Sequence, residues 1–187
     1  MRYLLTTALL LTLSSTVFAT DYRGSCTVIF QGSSTLHGFQ GKAHCQPFAV
    51  SKTDGVLDIS KISLAVADMD TDNAKRDRKM REMFEEKRFP VITGSAGPVA
   101  LQDIRTGSKK EGSDSASKAV IRLKIRDIAK PVTATVTNFV ETEARITADL
   151  AFTLSLAEYQ LKPPSVLGLI RVDDKVSVTA TVTLNAK

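Results

Sequence analysis

Apolar and polar residues alternate with period two through most of the second half of this chain. Ile121, Leu123 and Ile125 interleave with Arg122, Lys124 and Arg126. Ile146, Ala148, Leu150, Phe152, Leu154 and Leu156 interleave with Thr147, Asp149, Ala151, Thr153 and Ser155. Val176, Val178, Ala180, Val182 and Leu184 interleave with Ser177, Thr179, Thr181, Thr183 and Asn185. Successive side chains of a strand point to opposite faces, so each block predicts a strand with one dry and one wet face. Residues 127–131 and Lys162-Pro163-Pro164 carry turn signals between the blocks. The first half alternates less regularly and predicts strands over 25–31, 37–50, 57–67 and 89–101, with a further one at 131–142. Residues 107–118, rich in Ser, Gly and charge, read as an exposed loop.

One segment breaks the alternation. Residues 70–84 predict an amphipathic helix: Thr71 or Asp72 suits its N-cap, and Met80, Met83 and Phe84 fall at the i, i+3, i+4 spacing of one apolar stripe. Arg76 and Asp77 border that stripe, where a charge needs a partner once the face packs. Eight strands and one main helix, without internal repeat or domain boundary, predict an all-β protein whose antiparallel sheet curls into an eight-stranded barrel and so hides its edges. The interior of such a barrel is either filled by its own side chains or holds one small ligand. The dry faces mix aliphatic residues with alanines, and the chain has no tryptophan, which leaves room inside. Ala148 and Ala180 equally suit close packing against the helix, so both readings stay open.

Composition bounds the setting. Arg2, the apolar stretch 4–13 and Val17-Phe18-Ala19 have the layout of a secretory signal at 1–19, with cleavage after Ala19 leaving one domain at 20–187. The apolar stretch is too short for an uncleaved spanning anchor. Without the signal, 24 Lys and Arg face 20 Asp and Glu, a dispersed surplus that lacks the basic run with interleaved aromatics of a nucleic-acid binder. Cys26 and Cys45 are an even pair in an exported chain. A hairpin turning near Thr35 and Leu36 sets them opposite each other, within disulfide reach. Only His37 and His44 could join them around a metal, without a familiar zinc spacing, so neither metal nor cofactor is expected. The chain has no Gly-rich phosphate loop, no His-Glu-x-x-His pattern and no nucleophile elbow, and no catalytic residues are expected.

Four stretches together carry a family likeness: Ser-Ser-Thr-Leu-His-Gly-Phe-Gln-Gly at 33–41, Met-Asp-Thr-Asp-Asn-Ala-Lys-Arg-Asp-Arg-Lys-Met at 69–80, Arg-Phe-Pro-Val-Ile at 88–92, and Leu-Lys-Ile-Arg-Asp-Ile-Ala-Lys-Pro-Val at 123–132. In this order they resemble the YceI-like, polyisoprenoid-binding family, and residues 163–176 are similar to those of its periplasmic members. The resemblance implies a lipocalin-like barrel enclosing a long apolar chain, such as a polyprenyl phosphate, a quinone tail or a fatty acyl group. It implies a non-enzymatic periplasmic protein that binds, transports or sequesters an isoprenoid lipid. The dispersed cationic surplus allows transient contact with a membrane surface, and both monomer and homodimer stay open. The helix motif falls on Arg76, Asp77, Met80, Met83 and Phe84, and the loop motif on Leu36, His37 and Phe39. With Phe152 and Leu154 from a dry strand face, these are the candidate ligand-binding residues. The alternative is a stress-response or protein-interaction module whose barrel is filled. The cysteine pair departs from the general family pattern.

The cysteine spacing yields a first test. Protein matured in an oxidising compartment should show no free thiol after denaturation in a thiol-reagent assay, and losing the bridge should lower stability by about 2–4 kcal/mol.

Overall fold

The computed structural model describes residues 19–35, 37–108, 116–163 and 172–187; the predicted signal apart from Ala19, and Leu36, lie outside them. The strands are β1 (Ala19–Ser33), β2 (Gly38–His44), β3 (Phe48–Thr53), β4 (Val56–Ala65), β5 (Val91–Ala100), β6 (Ser117–Ile125), β7 (Ile128–Glu141), β8 (Arg145–Ser155) and β9 (Lys175–Ala186). Two helices interrupt them, α1 (Ala74–Met83) after β4 and α2 (Leu101–Ser108) after β5. All neighbouring strands are antiparallel.

Strands β2 and β3 share one edge of β1. Residues 27–33 of β1 pair with β2 and residues 19–24 pair with β3, so the two short strands form one stave, the predicted strand 37–50. The other edge of β1 pairs with β9 over residues 22–31. That ladder closes the sheet into an eight-staved barrel. The Cys26–Cys45 disulfide joins β1 to the junction of β2 and β3, with a Cα–Cα distance of 5.1 Å. Next to it the Cys45 N–H donates to the Cys26 carbonyl at 2.9 Å, the opposed placement expected of the hairpin.

Four expectations need correction. The helix is shorter than predicted and its N-cap is Asn73, whose side chain accepts from the N–H groups of Lys75 and Arg76. Asp72 instead takes a left-handed turn (φ 56°), and Thr71 donates to Asp77. Strand β1 starts earlier than predicted, because 19–24 find a partner in β3 that only the closed sheet supplies. Helix α2 was not foreseen: its stripe is only Leu101 and Ile104, too short a period to distinguish from the end of a strand. Within the predicted loop 107–118, Ser117 is buried at the start of β6, and its hydroxyl donates to the carbonyls of Ile104 and Asp103.

The inward residues form two clusters. At one end Tyr22, Phe48, Leu57, Leu101, Ile146 and Leu184 pack together and plug the barrel. At the other, Phe30, Met80, Phe84, Leu154 and Val178 belong to a cluster that reaches α1 and the short turn Ala157–Tyr159. Helix α1 is tied down on both sides. The Asp77 carboxylate accepts from the Thr71 N–H at 3.0 Å and its hydroxyl at 2.5 Å. Arg126 bridges Glu85, just past the helix, at 2.7 Å and the carbonyls of Tyr159 and Gln160.

Near the plugged end, Glu141 of β7 accepts from Lys52 of β3 at 2.8 Å and from Arg105 of α2 at 2.5 and 2.9 Å. Burial pushes its carboxyl pKa up, but the hydrogen bonds from Lys52 and Arg105 outweigh that and hold it below the usual carboxylate range. A pKa depressed on folding gives stability that is full above the unfolded value, about 4.3, and is lost as pH falls through the folded value. Glu141→Gln should therefore cost about 1–2 kcal/mol at neutral pH, the half-exposed Arg105 limiting the effect. Urea titrations should show that cost shrinking as the pH is taken below the usual carboxylate range; an unchanged cost would assign Glu141 a purely steric role.

Candidate functional site: an apolar cavity with a basic mouth

Between the plug and α1 the barrel is not filled. A cavity of about 510 Å³ remains, a size ordinary for small-molecule sites. Its walls come from the inward positions of nearly every stave: Val28 and Phe30 of β1, Leu64 of β4, Ile92 of β5, Leu123 of β6, Phe152 and Leu154 of β8, and Val176 and Val178 of β9. Two features of the sequence create the space. Inward positions hold alanine at Ala43 and Ala180. Glycine also stands inward on β2, where a Cβ on Gly41 would come within 2.2 Å of Phe30, so the bare backbone of the cross-strand partner makes room for the aromatic ring. The disulfide marks the floor: both cysteines line the cavity, and Cys26 also packs into the plug.

Helix α1 supplies the roof. Met80, Met83 and Phe84 face the cavity from the stripe predicted for them. Arg76 stands at the mouth, with its Nε donating to the Thr71 hydroxyl at 2.9 Å and an Nη to the Thr71 carbonyl at 2.8 Å. It also lies 5.1 Å from the centroid of the Phe39 ring, in cation–π range. Phe39 in turn sits over Gly32, where a Cβ would approach the ring to 2.6 Å. Those Thr71 bonds use two of the five guanidinium donors and leave the others for the mouth. His37 lines the same rim, exposed, and its backbone is fastened to Ser34. Lys75, Arg78 and Lys79 complete it. No carboxylate lines the cavity among the described residues.

Of the sequence-predicted site residues, His37, Phe39, Arg76, Met80, Met83, Phe84, Phe152 and Leu154 thus converge on one cavity. Asp77 does not line it; its carboxylate turns to Thr71 and positions the helix. Leu36 lies outside the described residues.

Residues 13–184 match the family model described as the YceI-like domain. The chain belongs to the YceI-like family. Two solved structures show the same architecture. One is a polyisoprenoid binding domain from Saccharophagus degradans implicated in plant cell wall breakdown, 15% identical, with 91% of this chain and 100% of that one covered at a TM-score of 0.65. The other is BcnA from Burkholderia cenocepacia, 14% identical, with 84% and 95% covered at a TM-score of 0.59. No curated protein matches the chain.

Sequence reading missed two parts of this YceI-like site. The wall residues Val28, Phe30, Leu64, Ile92 and Leu123 were visible only as members of dry faces; their shared cavity depends on which staves become neighbours. The mouth cations Lys75, Arg78 and Lys79 were not singled out, because only the apolar stripe and the charges beside it carried a helix signal. A variant pair separates roof from filler. Phe84 is 5% exposed, so Phe84→Ala should cost about 3–5 kcal/mol, whereas the half-buried Met83 should cost only about 1 kcal/mol in Met83→Ala. Urea unfolding of both variants checks this, and equal losses would place Met83 in a packed core instead of a cavity wall.

Proposed function

We propose that this YceI-like protein is a non-enzymatic periplasmic binder of a long-chain isoprenoid lipid, which it transports or sequesters with the tail inside the barrel. The observation that carries this reading is a cavity with apolar walls whose ionisable lining is confined to the mouth and is wholly cationic or imidazole. Each CH₂ of a tail moved from water into such a space contributes about 0.8 kcal/mol, with no directional bond required. A polar or phosphorylated head then meets Arg76 and His37 at the rim. Charge-assisted bonds from the free guanidinium donors favour an anionic head. The disulfide is consistent with an oxidising compartment, which supports the periplasmic placement. The alternative of a filled barrel acting only as a protein-interaction module is disfavoured by the empty volume.

The test is organic extraction of protein purified from its native compartment, followed by mass spectrometry. A stoichiometric isoprenoid lipid is expected; its repeated absence would remove the reading. Arg76→Ala should then weaken a polyprenyl phosphate about tenfold more than the uncharged polyprenol of the same length, from loss of a charge-assisted bond. Equal weakening of both lipids would make Arg76 structural, through its bonds to Thr71.

A further inference from the structure

Helix α1 also carries a cluster of cations at the cavity mouth, beside the residues that roof it. Lys75, Arg78 and Lys79 fall at i, i+3 and i+4, one face of the helix, which adjoins the apolar stripe where Lys79 stands four residues before Met83. Lys75 and Arg78 are exposed and Lys79 half-buried, and among the described residues no carboxylate bonds any of the three. The nearby acids bond elsewhere or make no ion pair with these cations among the described residues. Asp77 is bound to Thr71, Asp70 faces Lys42 at 3.9 Å, and Asp173 accepts from the Ser33 hydroxyl. Asp72 precedes the helix, and Glu82, three and four residues after Lys79 and Arg78, shares their face but forms no ion pair with them among the described residues.

The cations are not a general feature of a basic surface, because they stand where the barrel opens. All three line the mouth, and Phe39, Pro163 and Val172, apolar and only partly buried, line the same cavity. Partly exposed apolar residues ringed by cations match the interface of a bilayer, where anionic headgroups lie outside acyl chains. We propose that the cavity mouth docks on an anionic lipid bilayer, with Lys75, Arg78 and Lys79 against the headgroups and the Phe39 side of the rim facing the acyl boundary. In that pose the cavity opens into the membrane surface, so a tail passes between bilayer and barrel without crossing water. This deepens the lipid-binding reading and rests on it for its purpose.

The binding step is measured without any isoprenoid, so an empty cavity in the extraction experiment leaves this test intact. Delipidated protein is co-sedimented with phosphatidylcholine vesicles prepared with or without phosphatidylglycerol. Binding is expected only with phosphatidylglycerol, and it should weaken as salt screens the charges. A Lys75→Gln, Arg78→Gln, Lys79→Gln variant should bind those vesicles about 100-fold more weakly, each cation near an anionic surface contributing roughly fivefold. A matched variant, Arg23→Gln, Lys61→Gln, Lys118→Gln, removes three exposed cations that do not line the cavity and should bind as the parent does. Equal weakening by both triple variants would reduce the effect to net charge and overturn the docking surface. Binding that is indifferent to salt or to phosphatidylglycerol would overturn it without recourse to any variant.

Discussion

The ladder between residues 22–31 of β1 and 177–186 of β9 turns an open sheet into a tube, and the interior exists because that ladder removes both sheet edges at once. Strand β1 can make it only because it is long enough to serve β2 and β3 along one edge and β9 along the other. The disulfide reinforces the same strand, joining β1 to the jog between β2 and β3. Every inward side chain then competes for one enclosed volume. Whether that volume closes or stays open depends on side-chain size at each level of the barrel.

The two ends resolve that competition differently. At one, large residues such as Tyr22, Phe48 and Leu101 meet across the tube and fill it, and Glu141 ties β3, β7 and α2 together beside them. Toward the other, Ala43 and Ala180 are too small to reach across, and α1 lies over the tube. Close packing penalises voids of this size in an ordinary core. A stable protein keeps one where it is closed off by well-anchored elements, and here the Asp77–Thr71 and Arg126–Glu85 bonds hold the roof without filling the space.

The chemistry follows from the division between wall and rim. Apolar walls offer no directional contacts, so they select by hydrophobicity and length rather than by detailed shape. Selectivity for a head must come from the rim, where Arg76 is held on Phe39 and Thr71 with donors to spare. The same helix presents its stripe to the cavity and its cations to the mouth, so cavity and head site are coupled through one element of ten residues.

By itself the sequence determined the staves and their dry faces, because period-two alternation is a local property that each strand carries without its neighbours. It determined the helix stripe at Met80, Met83 and Phe84 and the opposed cysteines, both consequences of short-range spacing. Other features belonged to the tertiary structure. The helical state of Leu101–Ser108 and the pairing of Ala19–Gly24 depend on partners remote in the chain, which no local period encodes. Asp77 and Arg76 look alike beside the stripe, yet only the fold decides that one turns to Thr71 and the other to the mouth, because one residue of helix is a rotation of about 100°. Above all, the emptiness of the barrel was undecidable from composition: alanines such as Ala43 and Ala180 leave space only when the closed sheet turns them inward with nothing opposite large enough to fill it.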